Sequence, residues 1–361
     1  MTLASVIMEI GAPVTVENIE LDEPLPNEVV VKVAACGLCH SDLTIMRGKM
    51  AGAVAPPAVL GHEVSGVVER VGSAVTEFVV GDHVVACNSR YCGKCPQCLD
   101  GFTNMCQNRR VVPRDRARLT LNGKPIAQLG NLGGFAETIL VGEDSLVKIP
   151  DELPLDLAAL LSCAVMTGAG SVMNGAQVKA GTTVAVFGCG GIGLNAIQAA
   201  KLSGARRIFA IDVAEDKLAL AAEFGATDLI DARDGKTVEN ILAATGVGVD
   251  YSFECIGLPS AIEDAIAILR PGRTAYMVGV PATGREVKVP AQDMIFNGKQ
   301  LKGVLMGANN FKRDIPILAD LYLRGLLKLD ELVGERITLD QLNEAVVRME
   351  SGGVARSIVV F

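Results

Sequence analysis

The rhythm of hydrophobic positions changes near residue 182. Before it, short apolar runs are cut by Gly and Pro, and residues 28–35, 64–71 and 83–87 are rich in β-branched side chains. Such residues suit a pleated, half-buried surface, so each run predicts a strand. Residues 107–133 are polar and read as loop. After Thr182 compact apolar runs alternate with helical patterns. Strands are predicted at 184–187, 208–212, 228–231, 249–254 and 273–279, with helices from the Gly-rich turn to about residue 203, at 217–224 and near 260–269. Unbroken apolar strands separated by helices are what a parallel, doubly wound sheet requires, which predicts an α/β fold. From about residue 305 the pattern is mixed again, with helices at 314–324 and 339–350.

Composition narrows this picture. Half of the 361 residues are hydrophobic, Trp is absent and aromatics make up 4%, so the core must be aliphatic. The formal net charge of −8 leaves no basic footprint for nucleic acid. Residues 157–176 carry no charge and have the length of a membrane span, but their Gly, Ser, Thr and Asn content predicts a buried segment at a domain junction instead. The first ten residues lack a cationic stretch followed by an apolar core. The expectation is a cytoplasmic protein with reduced thiols and no membrane partner.

Cys92, Cys95, Cys98 and Cys106 stand at C-x2-C-x2-C-x7-C spacing. Four thiolates on one short lobe (about residues 87–110) can close a tetrahedral shell around a structural Zn²⁺, with a pair of disulfides as the alternative. Gly188-Cys-Gly190-Gly191-Ile192-Gly193 follows one predicted strand and opens a helix, the context in which G-x-G-x-x-G marks a dinucleotide site. Its glycines permit the tight turn, close approach of pyrophosphate, and helix-on-strand packing. Asp212 ends the next strand, where a carboxylate accepts from a ribose diol and repels a 2′-phosphate, favouring NAD; the alternative is that it merely caps the next helix. Lys217 lies within reach of the same ribose.

Cys39, His62 and Cys163 are scattered ligand candidates. Alone they read equally as core thiols and a hydrogen-bonded histidine. Two thiolates and an imidazole with an open fourth position is, however, the recognised ligand set of alcohol dehydrogenases. With Cys39-His-Ser-Asp42, Gly61-His-Glu63, the four-cysteine lobe, Gly188 to Gly193 with Asp212, Val278-Gly-Val280 and Arg356, the chain resembles, over nearly its whole length, the zinc-dependent alcohol dehydrogenases of the medium-chain dehydrogenase/reductase superfamily. Residues 249–257 and 118–126 look closest to the class III-like, formaldehyde-oxidising branch.

The resemblance implies a GroES-like, mostly β catalytic domain at 1–164 and 305–361, and a Rossmann domain that binds NAD at 165–304, with the active site in the cleft between them. It implies two zinc ions per subunit. Cys39, His62 and Cys163 would hold the catalytic zinc, with Glu63 behind it as an exchangeable ligand and Asp42 orienting His62. Ser41 would hydrogen-bond the substrate oxygen and start a proton relay with His40. Thr167, Val278 and Val280 would line the nicotinamide, and His40 and Arg356 would meet the pyrophosphate. The implied reaction interconverts an alcohol, first of all a primary one, and its aldehyde by hydride transfer. The rivals are thiol-dependent formaldehyde dehydrogenation and a non-catalytic NAD/zinc redox sensor.

Two departures qualify the resemblance. Where many relatives end the proton relay with a histidine, this chain has Thr44, a poor base. The loop after the zinc lobe carries Arg109, Arg110, Arg114, Arg116 and Arg118. Arg110 falls where class III relatives carry an arginine that grips a substrate carboxylate, so the resemblance implies a substrate with an anionic group; the alternative is a solvated or subunit-facing loop. The β-prone run at 300–307 predicts a sheet edge that pairs with a second copy, as a homodimer or homotetramer.

Overall fold

The computed structural model describes residues 1–50, 52–108, 116–352 and 356–361. The chain forms two units, Met1–Cys163 with Asn310–Phe361, and Ala164–Asn309.

The first unit is built on β-sheets around an aliphatic core in which Phe135 is fully buried. Its central strand, β1 (Glu28–Gly37), is buried on both faces along most of its length and pairs antiparallel with β2 (Glu63–Val71). β3 (His83–Ala86) continues the sheet beyond β2. The returning C-terminal strand Ser357–Val360 lies on the other side of β1. The β1–β2 register sets Gly37 opposite Glu63. A Cβ at Gly37 would fall 2.2 Å from Glu63 Oε2, so only glycine lets that carboxylate approach. Just beyond β1 the chain enters α1 (His40–Met46). The stretch expected to be loop contains the short strand Leu119–Leu121, which pairs with Thr15–Leu21, a partner about a hundred residues away.

In the second unit α2 (Ala164–Gly170) precedes a six-stranded parallel sheet. Its strands are β4 (Thr183–Phe187), β5 (Arg207–Asp212), β6 (Asp228–Asp231), β7 (Val249–Glu254), β8 (Leu269–Met277) and β9 (Gln300–Gly303), in the order β6-β5-β4-β7-β8-β9. The order reverses at β4, so the carboxyl ends of β4 and β7 flank a topological switch point. Every residue of β4 is buried, as a central parallel strand demands. α3 (Gly191–Leu202) and α4 (Glu215–Phe224) follow β4 and β5. Helices at Thr237–Thr245 and Ala291–Phe296 were not foreseen from the sequence. Among the described residues no single helix is long and apolar enough to cross a membrane. The uncharged stretch 157–176 is divided between two helical pieces, Leu155–Ser162 and Ala164–Ala176.

Candidate active site

The ends of β1 and β2 bring one group of ligand atoms together. Cys39 is the residue before α1, His62 immediately precedes and Glu63 opens β2, and Cys163 follows a short helix at Ala159–Ser162. Their ligand atoms lie within 4.8 Å of one another, and the residues are largely buried. Gly61 sets up this turn at φ +87°, with its Cβ position 2.7 Å from the Phe135 backbone nitrogen. Cys87, at the end of β3, rests its sulfur 3.7 Å from the Ser162 carbonyl and so supports the approach of Cys163.

Asp42 does two jobs, only one of which was expected. Its Oδ2 accepts from the Cys39 N–H (3.0 Å) at the start of α1, while Oδ1 accepts from the Gly61 N–H (3.2 Å) and faces His62 Nδ1 at 3.3 Å. The carboxylate therefore fixes the backbone of one ligand and the ring of another. Ser41 Oγ lies 3.1 Å from Cys39 Sγ and 3.3 Å from His62 Nε2. Thr44 Oγ1 donates to the His40 carbonyl (2.8 Å), and His40 itself is exposed. Arg356, expected at the pyrophosphate, is buried here, 3.1 Å from Glu63 Oε1 and donating to the Leu38 carbonyl.

The electrostatics suit a cation. The Cys163 thiol, hydrogen-bonded to Cys39, pulls Cys39 well below the ordinary thiol range despite burial, and the same bond with burial pushes Cys163 up. Burial raises Glu63 to about 7 against the pull of Arg356. Burial disfavours the His62 cation, yet the Asp42 carboxylate and Cys39 outweigh it and raise the ring well above its usual value. Neither Glu63 carboxylate oxygen has a hydrogen-bond partner among the described residues. Two sulfurs each 2.3 Å from a tetrahedral zinc would stand about 3.8 Å apart. Cys39 and Cys163 stand at 3.9 Å, so the set fits zinc.

Cys92, Cys95, Cys98 and Cys106 also gather within 4.8 Å, and none of the ten cysteines is disulfide-bonded. Sulfur separations of 3.4 Å (Cys95–Cys98) and 3.9 Å (Cys95–Cys106) suit the same shell. N–H groups of Lys94 and Cys95 aimed at the Cys92 sulfur lower it to about 6, ready to ligate as thiolate.

Of the expected coenzyme residues, those of the Gly-rich turn, Asp212, Val278 and Val280 lie at the carboxyl ends of strands of the parallel sheet. Gly188 (φ +88°) turns the chain after β4, Gly190 precedes α3, and Gly191, Ile192 and Gly193 form its first turn. A Cβ at Gly193 would meet the Gly188 carbonyl oxygen at 1.7 Å, whereas one at Gly190 meets nothing within 4 Å. Asp212 Oδ2 accepts from the Cys189 N–H (2.7 Å), and Oδ1 from the Val213 and Ala214 N–H groups. It thus ties the Gly-rich turn to the end of β5 and also braces the approach to α4, where Lys217 sits. Val278 and Val280 follow β8, the first buried and the second exposed, and Thr167 is buried in α2. Glu254 was missed: its Oε1 accepts from the N–H groups of Ile256, Gly257 and Leu258 and shapes the turn beside Gly188. A carboxylate three residues before a glycine at a strand end was the available signal.

Of the five arginines after the zinc lobe, Arg109, Arg110 and Arg114 lie outside the described residues. Arg118 does not face a ligand. It is buried and donates to Glu28 (2.8 Å), which is fully buried. Arg116 pairs with Asp22 at 2.9 Å.

Comparison with known proteins supports the same chemistry. Residues 25–151 match the alcohol dehydrogenase GroES-like domain, and residues 191–321 match the zinc-binding dehydrogenase family. The chain is 38% identical to geraniol dehydrogenase of Carpoglyphus lactis, over 99% of its own length and 97% of that protein. It is 37% identical to the class-3 alcohol dehydrogenase of Oryza sativa subsp. japonica, over 99% and 96%. The crystal structure of benzyl alcohol dehydrogenase from Acinetobacter calcoaceticus superposes with a TM-score of 0.94 at 33% identity, covering 100% of this chain and 99% of that one.

Proposed function

Because the chain belongs to the zinc-dependent alcohol dehydrogenases of the medium-chain dehydrogenase/reductase superfamily, and so interconverts alcohols and aldehydes, we propose that it is NAD-linked and acts on primary alcohols through the group Cys39, His62 and Cys163. That gathered donor set, with the buried Glu63 carboxylate beside it, carries the reading. When bound, zinc supplies Lewis acidity toward the substrate oxygen, and the nicotinamide supplies the hydride chemistry that no side chain can.

The chain's own residues do the rest. Asp42 keeps the His62 ring in one orientation by holding Nδ1, which leaves Nε2 for the metal. Ser41 Oγ, directed at the ligand set, receives the hydroxyl proton of the alcohol and passes its own outward. The exposed His40, next to Ser41 in sequence, is the group we assign to pass that proton on to solvent, because Thr44 donates its hydroxyl hydrogen to the helix backbone. Glu63 remains a reserve ligand, balanced by Arg356. On the coenzyme side, Asp212, held beside the Gly-rich turn, supports NAD over NADP. Thr167, Lys217, Val278 and Val280 are the further coenzyme contacts we assign.

Geraniol and benzyl alcohol, for which two relatives are named, are both primary alcohols, which supports that substrate class. The class-3 relative supports a second reading, oxidation of an S-hydroxymethyl thiol. The exposed edge strand β9, with Phe296 83% exposed before it, supports a homodimer or larger homo-oligomer. Ten unbonded cysteines suit the reducing cytoplasm. The test is a panel of geraniol, benzyl alcohol, ethanol and formaldehyde with and without glutathione, each with NAD⁺ and NADP⁺, beside metal analysis and light scattering. Turnover confined to formaldehyde plus thiol would replace the first reading by the second. A zinc-loaded protein with no turnover in any arm would leave only a sensory role.

A further inference from the structure

The amino end of the parallel sheet, opposite the Gly-rich turn, holds a cavity of about 370 Å³. Arg206, Arg207, Asp250 and Arg270 line it, together with Thr183 and Val247. Four steps along β4 take the chain from Thr183 to Phe187, about 13 Å at the usual rise, so this cavity is distinct from the coenzyme edge.

The charges here are arranged to leave a surplus. The Asp250 carboxylate is already engaged: Oδ2 accepts from the Thr183 N–H and hydroxyl (both 2.9 Å), and Oδ1 accepts from Arg270 Nε (2.8 Å) and faces Arg273 Nε at 3.2 Å. Arg207 is held by Asp228 and by the Ala244 carbonyl and lies over the Phe209 ring at 4.6 Å. Arg206 is exposed and, among the described residues, its guanidinium has neither an ion pair nor a hydrogen bond. Three guanidiniums therefore line the cavity against one carboxylate, in a protein whose net charge is −8. The one uncommitted cation faces the cavity, and an exposed Val247 (66%) forms an apolar wall beside it.

We propose that this cavity is an anion site for a small phosphate monoester. A surplus of two positive charges matches the nearly dianionic monoester at neutral pH. The planar fork of Arg206 suits phosphate oxygens, and Val247 receives the organic part. The volume lies within the range of small-molecule sites.

The test titrates the full-length enzyme with glycerol 2-phosphate and with inorganic phosphate by calorimetry, with and without saturating NADH. Saturable binding with a Kd below about 5 mM, one site per subunit and insensitive to NADH, is expected. Arg206→Glu removes the free cation without breaking a hydrogen bond or ion pair of its guanidinium, and Val247→Trp fills the cavity while keeping the charges. Both should weaken binding by about tenfold or more, with thermal midpoint and NADH affinity unchanged. Absence of saturable binding, or binding that persists in either variant, overturns the proposal.

Discussion

Gly193→Ala is the sharpest probe of how the coenzyme edge is built. Its Cβ would stand 1.7 Å from the Gly188 carbonyl oxygen and 2.9 Å from the Gly188 carbonyl carbon. A comfortable carbon–oxygen approach is about 3.3 Å, so the turn and the start of α3 would have to part by roughly 1.6 Å. Both sides of the clash are backbone, so no rotamer change relieves it. Overpacking usually costs about 1–3 kcal/mol, and this site belongs at the upper end. For a unit of this size that is a fall in thermal midpoint of about 6–10 °C. Gly190→Ala is the matched control, since its φ is −79° and its Cβ meets nothing within 4 Å. It should change stability by less than about 1 kcal/mol, yet weaken NADH binding about tenfold, because its methyl group occupies the space into which a pyrophosphate must come. Calorimetric melting and fluorescence titration of NADH measure both. A Gly193→Ala protein that melts within about 1 °C of the parent would refute the packing argument.

Other expectations follow from buried groups. Asp250 is held below the ordinary carboxylate range: burial alone would raise it, but the Thr183 N–H and hydroxyl and the Arg270 guanidinium outweigh burial. Its stabilising contribution is therefore complete above about pH 4 and is lost as pH falls through the lower folded value. Asp250→Asn should be less stable at pH 7 and lose less on acidification than the parent, which urea midpoints from pH 7 to pH 2.5 will show. Removing Arg118 takes away the guanidinium that the fully buried Glu28 carboxyl faces, so Arg118→Ala should cost about 3–5 kcal/mol, with Glu28→Gln/Arg118→Met recovering much of it in the same urea assay. Cys98→Ser should lower zinc content from two to one per chain, matching the two ligand groups, and should lower the melting temperature; unchanged zinc by atomic spectroscopy would reject the lobe as a metal site. Ser41→Ala should lower kcat about 10²-fold or more while zinc content stays at two, and an unchanged kcat would remove Ser41 from proton transfer.

The parallel sheet was legible because its central strands β4, β5 and β7 are short apolar runs buried along most of their length, and four of its six strands fall within a residue or two of the expected bounds. β8 begins four residues earlier than expected, since Arg270, Pro271 and Gly272 hide its start. The four-cysteine lobe was legible because its ligands are close in sequence. The other donor group was not, without the resemblance: residues 39, 62 and 163 meet only through the β1–β2 register and a break after Ser162. Thr237–Thr245 and Ala291–Phe296 escaped notice because each is short and each buries few side chains. Leu119–Leu121 looked like loop because its pairing partner is remote in sequence. The fate of Arg118 was likewise invisible, since nothing local announces Glu28.

Gly37 opposite Glu63 has a corollary for refolding. Side chains on neighbouring strand positions point to opposite faces, so a slip of one residue between β1 and β2 would swing Glu63 away from Cys39 and spoil the donor geometry. Capture of a metal ion at Cys39, His62 and Cys163 by a protein returning from denaturant would then report, without any structural probe, that these two strands had found their native alignment.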